Sequence, residues 1–399
     1  MNTKQEPQRF VISIGPQHPA LKEPGNFQFT VDGEIVTKAF VRLGYAHRGI
    51  EKAAEERTWI QDLYLIERVC GICSHIHALA YCLAVEQLAH VEAPPRAQAI
   101  RVLVAELERI HSHFLWMGVS GHEAGFDTFF MYSWRDRERV MNILEKLTGN
   151  RVNYSANVLG GVKFDLDKEQ IASIRGGIDF LEERTRHYLD VVATDFMFLQ
   201  RTRGIGVMSR AQAEIMGAVG PTARASNVAR DVRKDAPYAA YKEYPVDIIL
   251  DERGDLEARF EVRLKELFES FHLIRKILDT LPGGELTARM PRKVPAGEAV
   301  MRVEAPRGEL LYFIRSNGSD KPERLKIRTP TICNLTSVVK LAIGHQLADV
   351  PMILAGIDPC FSCNDRSVQI RTSSDPDGRM LSWDELRQHG IDFYKRLEK

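Results

Sequence analysis

Two pairs of cysteines stand near opposite ends of this 399-residue chain. Cys70 and Cys73 lie in the stretch RVCGICSHIH, and Cys360 and Cys363 lie in DPCFSC. A histidine, His77, follows four residues after Cys73. Thiolates bind soft or borderline metals and exchange disulfides, so these pairs are the residues of this sequence most suited to chemistry.

The spacing of the pairs leaves three interpretations open. A thioredoxin-like redox site needs one such pair inside a βαβ pattern, and no such pattern surrounds Cys70. A structural zinc site takes four thiolates, but its pairs usually lie within a few tens of residues, whereas nearly the whole chain separates Cys73 from Cys360. The third interpretation is a buried catalytic centre that joins the two ends of the chain. Spacing alone favours zinc and a redox metal equally.

The composition is that of an ordinary globular protein of the cytoplasm. Lys plus Arg and Asp plus Glu both number 54, and this balance argues against a nucleic-acid partner. The first residues lack the apolar core of a secretory signal, and no apolar run is long enough to span a membrane. In a reducing compartment we expect no disulfide framework, and we expect the lone Cys82 and Cys333 to be small buried hydrophobic residues.

The pattern along the chain predicts a mainly α (α+β) fold. Strand-like segments cover residues 10–42 and 298–332, and helical periodicity covers about 50–147, 167–199, 256–281 and 334–350. The prediction is one helical core with small β elements at both ends. If residues 70–77 are helical, then Cys70, Cys73 and His77 share one helix face.

The two cysteine motifs resemble those of the large subunit of nickel–iron (NiFe) hydrogenases, in the same order and near the same ends. The rest of the chain is similar to the energy-converting, membrane-associated branch of that family, which includes the large subunit of formate hydrogenlyase. The stretches GPQHPALKEP, GYAHRGIEK, AYCLAVEQL and GPTARASNVARDVRKDAPYAAY also resemble the homologous hydrophilic subunit of respiratory complex I. That subunit lacks the four cysteines and helps to form a quinone site, so their presence favours a hydrogenase.

The resemblance implies a metal centre built from the two pairs. All four cysteines would bind Ni, and Cys73 and Cys363 would also bridge to an Fe that carries CO and CN ligands. The reaction would be heterolytic cleavage of H₂ or its reverse, with a terminal thiolate accepting the proton. His77 would hydrogen-bond a bridging sulfur, although on its own it could equally be a satisfied core histidine.

Four further residues match positions of the family site. Arg307, in EAPRGEL, would lie over the metals near a cyanide ligand, and Asp358 would belong to the same canopy. Glu23, in LKEP, would relay protons from a cysteine, because a carboxylate buried near thiolates has a raised pKa. Each of these three also has a structural interpretation. Arg307 could belong to a strand pair, Asp358 could be a cap, and Glu23 could be a solvated loop charge. Glu51, in HRGIEK, matches a ligand of a separate Mg or Fe site that is usually completed by a C-terminal histidine, where Arg366 stands here.

The resemblance also implies partners and a location. The chain has too few cysteines for the clusters that must carry electrons, so we expect an iron–sulfur small subunit. Ferredoxin-like or formate-dehydrogenase electron-transfer subunits would connect to it, and antiporter-like membrane subunits would hold the complex on the cytoplasmic face of the membrane. The alternative function is a complex I-like quinone-site or scaffold subunit without a NiFe centre, and a zinc-stapled interaction module comes third.

The chain is expected to divide at Arg366. Residues 1–366 would form a single hydrogenase large-subunit domain, and residues 367–399 a C-terminal extension that a maturation endopeptidase removes once nickel is inserted. The tail pattern predicts a strand, a turn at DPDG and a short helix opened by a capping box at 382–385. The alternative is a permanent C-terminal element.

Overall fold

The computed structural model describes residues 9–364, 370–372, 375–379 and 383–397. The chain forms two compact units, Met1–Asp365 and Arg366–Lys399.

Helices are the predominant regular structure of the chain. In chain order, the helices of the described residues are α1 Ile50–Ala54, α2 Trp59–Glu67, α3 Ser74–Ala89, α4 Pro95–Glu123, α5 Asp127–Thr148, α6 Lys168–Thr194, α7 Phe196–Thr202, α8 Arg210–Ile215, α9 Gly220–Arg224, α10 Val232–Asp235, α11 Leu256–Thr280, α12 Pro330–Ala342, α13 Val350–Gly356 and α14 Trp383–Leu397. Short 3₁₀ turns cover Leu347–Asp349 and Ser362–Asn364.

The strands form four small antiparallel sheets. They are β1 Arg9–Ile14, β2 Asn26–Asp32, β3 Ile35–Arg42, β4 Asn157–Val158, β5 Gly161–Val162, β6 Gly297–Ala305, β7 Gly308–Ser316, β8 Arg324–Arg328, β9 Ile370–Thr372 and β10 Asp375–Arg379. The sheet orders are β1-β2-β3, β4-β5, β6-β7-β8 and β10-β9. The predicted fold class, a helical core with small β elements towards both ends, is confirmed.

The N-terminal sheet covers the segment that leads to the second cysteine pair. Alternate residues of β2, Phe27, Phe29 and Val31, are buried, as expected of a strand with one face on a core. They form a hydrophobic cluster with Leu335 of α12 and Leu354 of α13. The N-terminal and C-terminal parts of the larger unit therefore share one packed core.

The long helix α4 is the axis of the main core. It packs against α5, α11 and α13, and α3 packs against β6 and β7. Charged residues of α4 lie inside this core and are paired, as a buried charge requires: Arg101 binds Glu86 through two hydrogen bonds of 2.9 and 2.6 Å. These pairs fix α4 against its neighbours.

Several boundaries differ from the predicted ones. The helix predicted over 167–199 is interrupted at Asp195, whose carboxylate accepts a hydrogen bond from Phe198 N and begins α7. The helix predicted over 334–350 begins earlier, at Pro330, and ends at Ala342. The turn predicted at DPDG is wrong, because Asp375–Arg379 is strand β10, paired with β9. α14 follows as predicted, while Ser382 of the proposed capping box lies outside the described residues.

In the described parts of the chain, every helix is too short or too polar to cross a membrane.

Candidate metal centre

The first cysteine pair lies in the turn between α2 and α3. The prediction that Cys70 and Cys73 share a helix is wrong: α3 begins at Ser74, and Cys73 is its N-terminal cap residue. The turn instead directs two backbone N–H groups at one sulfur, since Ile72 N and Cys73 N lie 3.2 and 3.4 Å from Cys70 Sγ. Such donors stabilise a thiolate. His77 lies one helical turn beyond Cys73, whose carbonyl accepts from His77 N at 3.3 Å.

The second pair follows the end of α13 in a tight turn. Asp358 adopts the left-handed region with φ +53°, which aspartate tolerates better than most residues and which turns the chain sharply after the helix. Cys360 N donates to Thr331 Oγ1 of α12 at 3.1 Å, and Cys360 O accepts from Asn364 Nδ2 at 3.2 Å. The backbone of the pair is thus held before any metal binds.

The structure brings the four sulfurs together in the buried core. Cys70 Sγ lies 3.4 Å from Cys360 Sγ, Cys73 Sγ lies 3.5 Å from Cys363 Sγ, and the sulfurs of the second pair are 3.1 Å apart. All four are free thiols. These separations exceed a disulfide bond of about 2.05 Å and approach the edge of roughly 3.8 Å of a tetrahedron with metal–sulfur bonds of about 2.3 Å. The sulfurs of Cys70, Cys73 and Cys363 all lie within 4.8 Å of one another, and Cys360 contacts two of them, so the donor set fits a thiophilic metal.

The pKa values of the four cysteine thiols also favour a bound metal ion. A hydrogen bond with Cys360 lowers the pKa of Cys70. A hydrogen bond with Cys363 lowers the pKa of Cys360. Hydrogen bonding with Cys360 raises the pKa of Cys73 and of Cys363 well above the usual thiol value. Without a cation, Cys73 and Cys363 therefore retain their protons, because like charges this close cannot all ionise. A bound metal ion would remove that barrier.

His77 joins this cluster to the β-sheet behind it. Its Nε2 lies 3.5 Å from Cys363 Sγ, and its Nδ1 lies 2.6 Å from the Tyr312 hydroxyl. Burial lowers the pKa of His77 to about 4, so the ring is neutral at physiological pH. With Tyr312 donating to Nδ1, the ring proton resides on Nε2 and faces the sulfur.

Arg307 and Asp358 form a buried ion pair beside the cysteines. Arg307 Nη2 donates to Asp358 Oδ1 and Nε donates to Asp358 O, both at 2.9 Å, while Nη1 donates to Ser112 Oγ at 3.1 Å. The guanidinium charge lowers the pKa of the Asp358 carboxyl against the opposing effect of burial. Lys22 Nζ lies 3.3 Å from the same Oδ1. Burial lowers the pKa of Lys22, and Asp358 opposes that effect.

Glu23 reaches into the turn of the second pair. Its Oε2 accepts from Ser362 N at 2.9 Å, and its Oε1 accepts from the Ser362 hydroxyl. Burial, together with the charge of the neighbouring Cys360, raises the pKa of Glu23 to about 7. The carboxyl can therefore exchange a proton near neutral pH.

Glu51 has protein partners of its own. It is buried on α1, where Oε1 accepts from Ile327 N at 2.9 Å and Oε2 accepts from Lys326 Nζ at 3.1 Å. Arg366, the position that would complete a second metal site, lies outside the described residues. The Mg or Fe site at Glu51 therefore stays a prediction.

The remaining cysteines behave differently from each other. Cys82 is fully buried in α3, as predicted, and burial raises the pKa of its thiol. Cys333 is only partly buried, so that prediction is wrong: its sulfur lies 3.1 Å from Arg328 Nη1 at the start of α12.

Three residues of the site were not found by sequence reasoning. Lys22 precedes Glu23 in LKEP, and a charged residue next to a predicted site residue was a usable signal. Ser112 and Tyr312 gave no local signal, because each reaches the site from an element distant in sequence.

Two family profiles divide the chain. Residues 123–294 and 288–366 match the family described as the respiratory-chain NADH dehydrogenase 49 kDa subunit. Residues 48–118, which contain the first cysteine pair, match the nickel-dependent hydrogenase family. The first cysteine pair thus lies in the part that matches the hydrogenase family, and the second pair lies in the part that matches the 49 kDa family.

Relatives match over nearly the whole chain. The carbon monoxide-induced hydrogenase of Rhodospirillum rubrum is 42% identical over 358 residues, 90% of this chain and 99% of that protein. The membrane-bound hydrogenase subunit alpha of Pyrococcus furiosus is 42% identical over 372 residues, 89% and 87% of the two chains. A chain in the structure of the membrane-bound sulfane sulfur reductase (MBS), an archaeal respiratory membrane complex, matches with a TM-score of 0.86 and 34% identity, covering 92% of this chain and 100% of that one.

The chain therefore belongs to the family of membrane-bound, energy-converting hydrogenase large subunits, whose fold is shared with the 49 kDa subunit of complex I.

Proposed function

We propose that this chain is the catalytic subunit of a NiFe hydrogenase that works within a membrane-bound electron-transfer complex. The observation that carries the proposal is a buried cluster in which three contacts of 3.1–3.5 Å link four cysteine sulfurs from segments far apart in the chain. A scaffold subunit has no need of four closely packed thiols, which repel one another when ionised.

The four cysteines would hold nickel, and Cys73 and Cys363 would also bind the iron. A nickel–iron centre with CO and CN ligands supplies the electron-rich metal that heterolytic cleavage of H₂, or its reverse, requires. Thiolates suit that role because they are soft ligands, and the closed hydrophobic surroundings exclude water from the site.

The surrounding side chains orient the site and handle protons. Arg307 presents its guanidinium beside the sulfurs, and Asp358 holds that group in place through two hydrogen bonds. His77 faces Cys363 with its Nε2 and would donate to that sulfur. Glu23, with a pKa near 7, would take the proton released at a cysteine and pass it outward, because it can gain and lose a proton at working pH.

The function requires partners that carry electrons. An iron–sulfur small subunit would receive or deliver them, and ferredoxin-like or formate-dehydrogenase subunits would connect it to metabolism. Antiporter-like membrane subunits would place the chain on the cytoplasmic face of the membrane. The named relatives support this kind of assembly, since they include a membrane-bound hydrogenase and a respiratory membrane complex.

A second candidate function is a complex I-like subunit without a NiFe centre. It is favoured by the match of residues 123–366 to the NADH dehydrogenase 49 kDa family and by the likeness to a sulfane sulfur reductase. In that case the cysteines would be unligated or would hold another metal such as zinc.

Metal analysis and infrared spectroscopy of the purified complex separate the candidates. Nickel and iron near one atom each per chain, with CO and CN stretching bands, are the expected result. The double variant Cys70→Ser/Cys360→Ser is the matched control, and it should lose both the nickel and the bands. Wild-type complex with zinc or no metal, and an empty CO and CN region, would exclude the hydrogenase function.

A further inference from the structure

We propose that Lys22 is a positioning residue of the metal centre, whose ammonium group holds Asp358 against Arg307 and adds positive charge beside the thiolates. The inference deepens the proposed hydrogenase function and rests on it. The residues that match positions of the hydrogenase site do not include this lysine.

Two cations share one oxygen of Asp358. Lys22 Nζ lies 3.3 Å from Asp358 Oδ1, and Arg307 Nη2 lies 2.9 Å from the same atom. The Asp358 side chain is fully buried and that of Lys22 is 18% exposed. The other oxygen, Oδ2, is buried and has no hydrogen-bond partner within the described residues. The orientation of the carboxylate therefore depends on the two cations at Oδ1.

The loop that carries Lys22 is fastened to the second cysteine turn. The next residue, Glu23, binds Ser362 through both of its oxygens. Gly25 packs so closely on Phe361 that an added Cβ would lie 2.7 Å from the ring. Three contacts thus join residues 22–25 to residues 358–362. Lys22 is delivered by a loop whose position is already determined.

The charges around the centre show what Lys22 contributes. Lys22 and Arg307 carry two positive charges against one negative charge on Asp358, so these three groups have a surplus of one positive charge, which Glu23 offsets when it is ionised. Arg263 and His113 also face Asp358, and the charge of Cys360 acts on both Lys22 and Arg307. A positive surplus beside thiolates stabilises electron-rich sulfur, and in a site of low dielectric this effect is large.

Removal of the Lys22 charge should therefore act on the centre in two ways. The Asp358–Arg307 pair would lose one of its two anchors, and the metals would experience a more negative surrounding. Greater electron density at iron weakens the CO bond, so its stretch should move to lower wavenumber. Turnover should fall on the order of tenfold, as misplaced catalytic groups generally cause.

The test compares four forms of the whole purified complex: wild type, Lys22→Met, Lys22→Arg and Lys265→Met. Lys265 is the matched control, because it is an exposed lysine paired with a carboxylate, Glu261, on α11. Nickel content, infrared band positions and turnover are measured for each. Lys22→Met should keep its nickel, shift the CO band and slow turnover, whereas Lys22→Arg should return the band towards wild type. Lys265→Met should match wild type.

The results that would contradict the role of Lys22 differ from the results that would contradict the proposed function. Unshifted bands in Lys22→Met, a shift that Lys22→Arg does not reverse, or loss of nickel from Lys22→Met would each overturn the positioning role while leaving the hydrogenase intact. Wild-type complex without nickel or bands would overturn the proposed function itself, and the inference with it.

Discussion

Cys73 Sγ and Cys363 Sγ lie 3.5 Å apart although 290 positions separate them in the chain. The contact requires β1–β3 and α12–α13 to pack in one core, and α3 to begin at Ser74. The site therefore exists only when both of these segments are packed in the larger unit. This explains how a ligand set from distant segments can be rigid, because each half is fixed by its own helix or turn.

Replacement of any one of the four paired cysteines by serine should abolish hydrogen chemistry. Oxygen is a harder ligand that matches nickel poorly, and a serine hydroxyl stays protonated at neutral pH. Nickel analysis and H₂ evolution of the purified complex measure the effect. Cys82→Ala and Cys333→Ala are the controls, and we expect them to keep nickel at a stability cost on the order of 1 kcal/mol. Nickel loss from either control would show that the ligand assignment is wrong.

Helices and strands with a strong repeating pattern were predictable from the sequence. The segment over 256–281 is α11 with a shift of one residue at its end, and the predicted strands over 298–332 are β6, β7 and β8, except that residues 330–332 belong to α12. Each of these carries its signal locally, in the spacing of its apolar residues. Local strength of pattern, rather than position in the chain, determined which elements were found.

Features that depend on distant contacts were missed. The helical prediction for Cys70 and Cys73 failed because their sulfur-directed N–H groups and the partner turn at 358–363 stabilise a non-helical turn. The residues of DPDG are typical of a turn, yet they form an extended strand because they belong to β10, which pairs with β9. The roles of Ser112 and Tyr312 follow only from tertiary structure. The convergence of the cysteine pairs was expected from the family motifs and not from spacing alone.

Arg307→Lys should reduce turnover while leaving nickel bound. Lysine keeps the positive charge, but it has a single ammonium group in place of the planar guanidinium. The guanidinium makes the hydrogen bonds to Asp358 and Ser112. A fall of roughly tenfold or more in turnover, measured beside the nickel content, is expected. Arg302→Lys is a suitable control, because Arg302 lies on the exposed part of the preceding strand. Loss of nickel would indicate that Arg307 is structural.

The mature subunit should end at Arg366. We expect residues 367–399 to be removed once nickel has been inserted, although in this structure Cys360 and Cys363 already lie against the first pair while β9, β10 and α14 are present. Residues 370–372, 375–379 and 383–397 of this extension form β9, β10 and α14, so the extension can act as a folded element during loading. Intact-protein mass spectrometry of active enzyme measures the chain end. A full-length chain in fully nickel-loaded, active enzyme would contradict the maturation step.

Asp62→Asn should make the chain more stable at alkaline pH. Asp62 is fully buried in α2, neither carboxylate oxygen has a hydrogen-bond partner in the described part of the chain, and burial raises its pKa to about 8. The folded state therefore holds a proton that the unfolded state loses above about pH 4. Stability falls as pH rises from about 4 to about 8, and asparagine removes this loss.

The expected gain for Asp62→Asn is about 2 kcal/mol at pH 8 and close to zero near pH 4, since local relaxation reduces the full linkage effect. Thermal midpoints of both chains at the two pH values provide the measurement. Asp190→Asn, a change at an exposed aspartate on α6, should match wild type throughout. Equal midpoint differences at both pH values for Asp62→Asn would refute the protonation argument.

Tyr312→Phe should alter the metal centre without emptying it. The variant keeps the aromatic ring, which packs edge-on to His77 with centroids 5.9 Å apart, but it loses the 2.6 Å hydrogen bond to His77 Nδ1. The ring proton of His77 is then free to move to Nδ1, so Nε2 no longer donates to Cys363. Outer hydrogen bonds of metal sites are worth roughly 10–100-fold in activity or affinity, and we expect a loss at the lower end of that range.

The CO and CN bands of Tyr312→Phe should shift in parallel with this loss. The control is Tyr244→Phe, which removes a hydroxyl bound to Thr280 and should leave both turnover and bands unchanged. Wild-type bands in Tyr312→Phe would mean that Cys363 does not sense the protonation of His77.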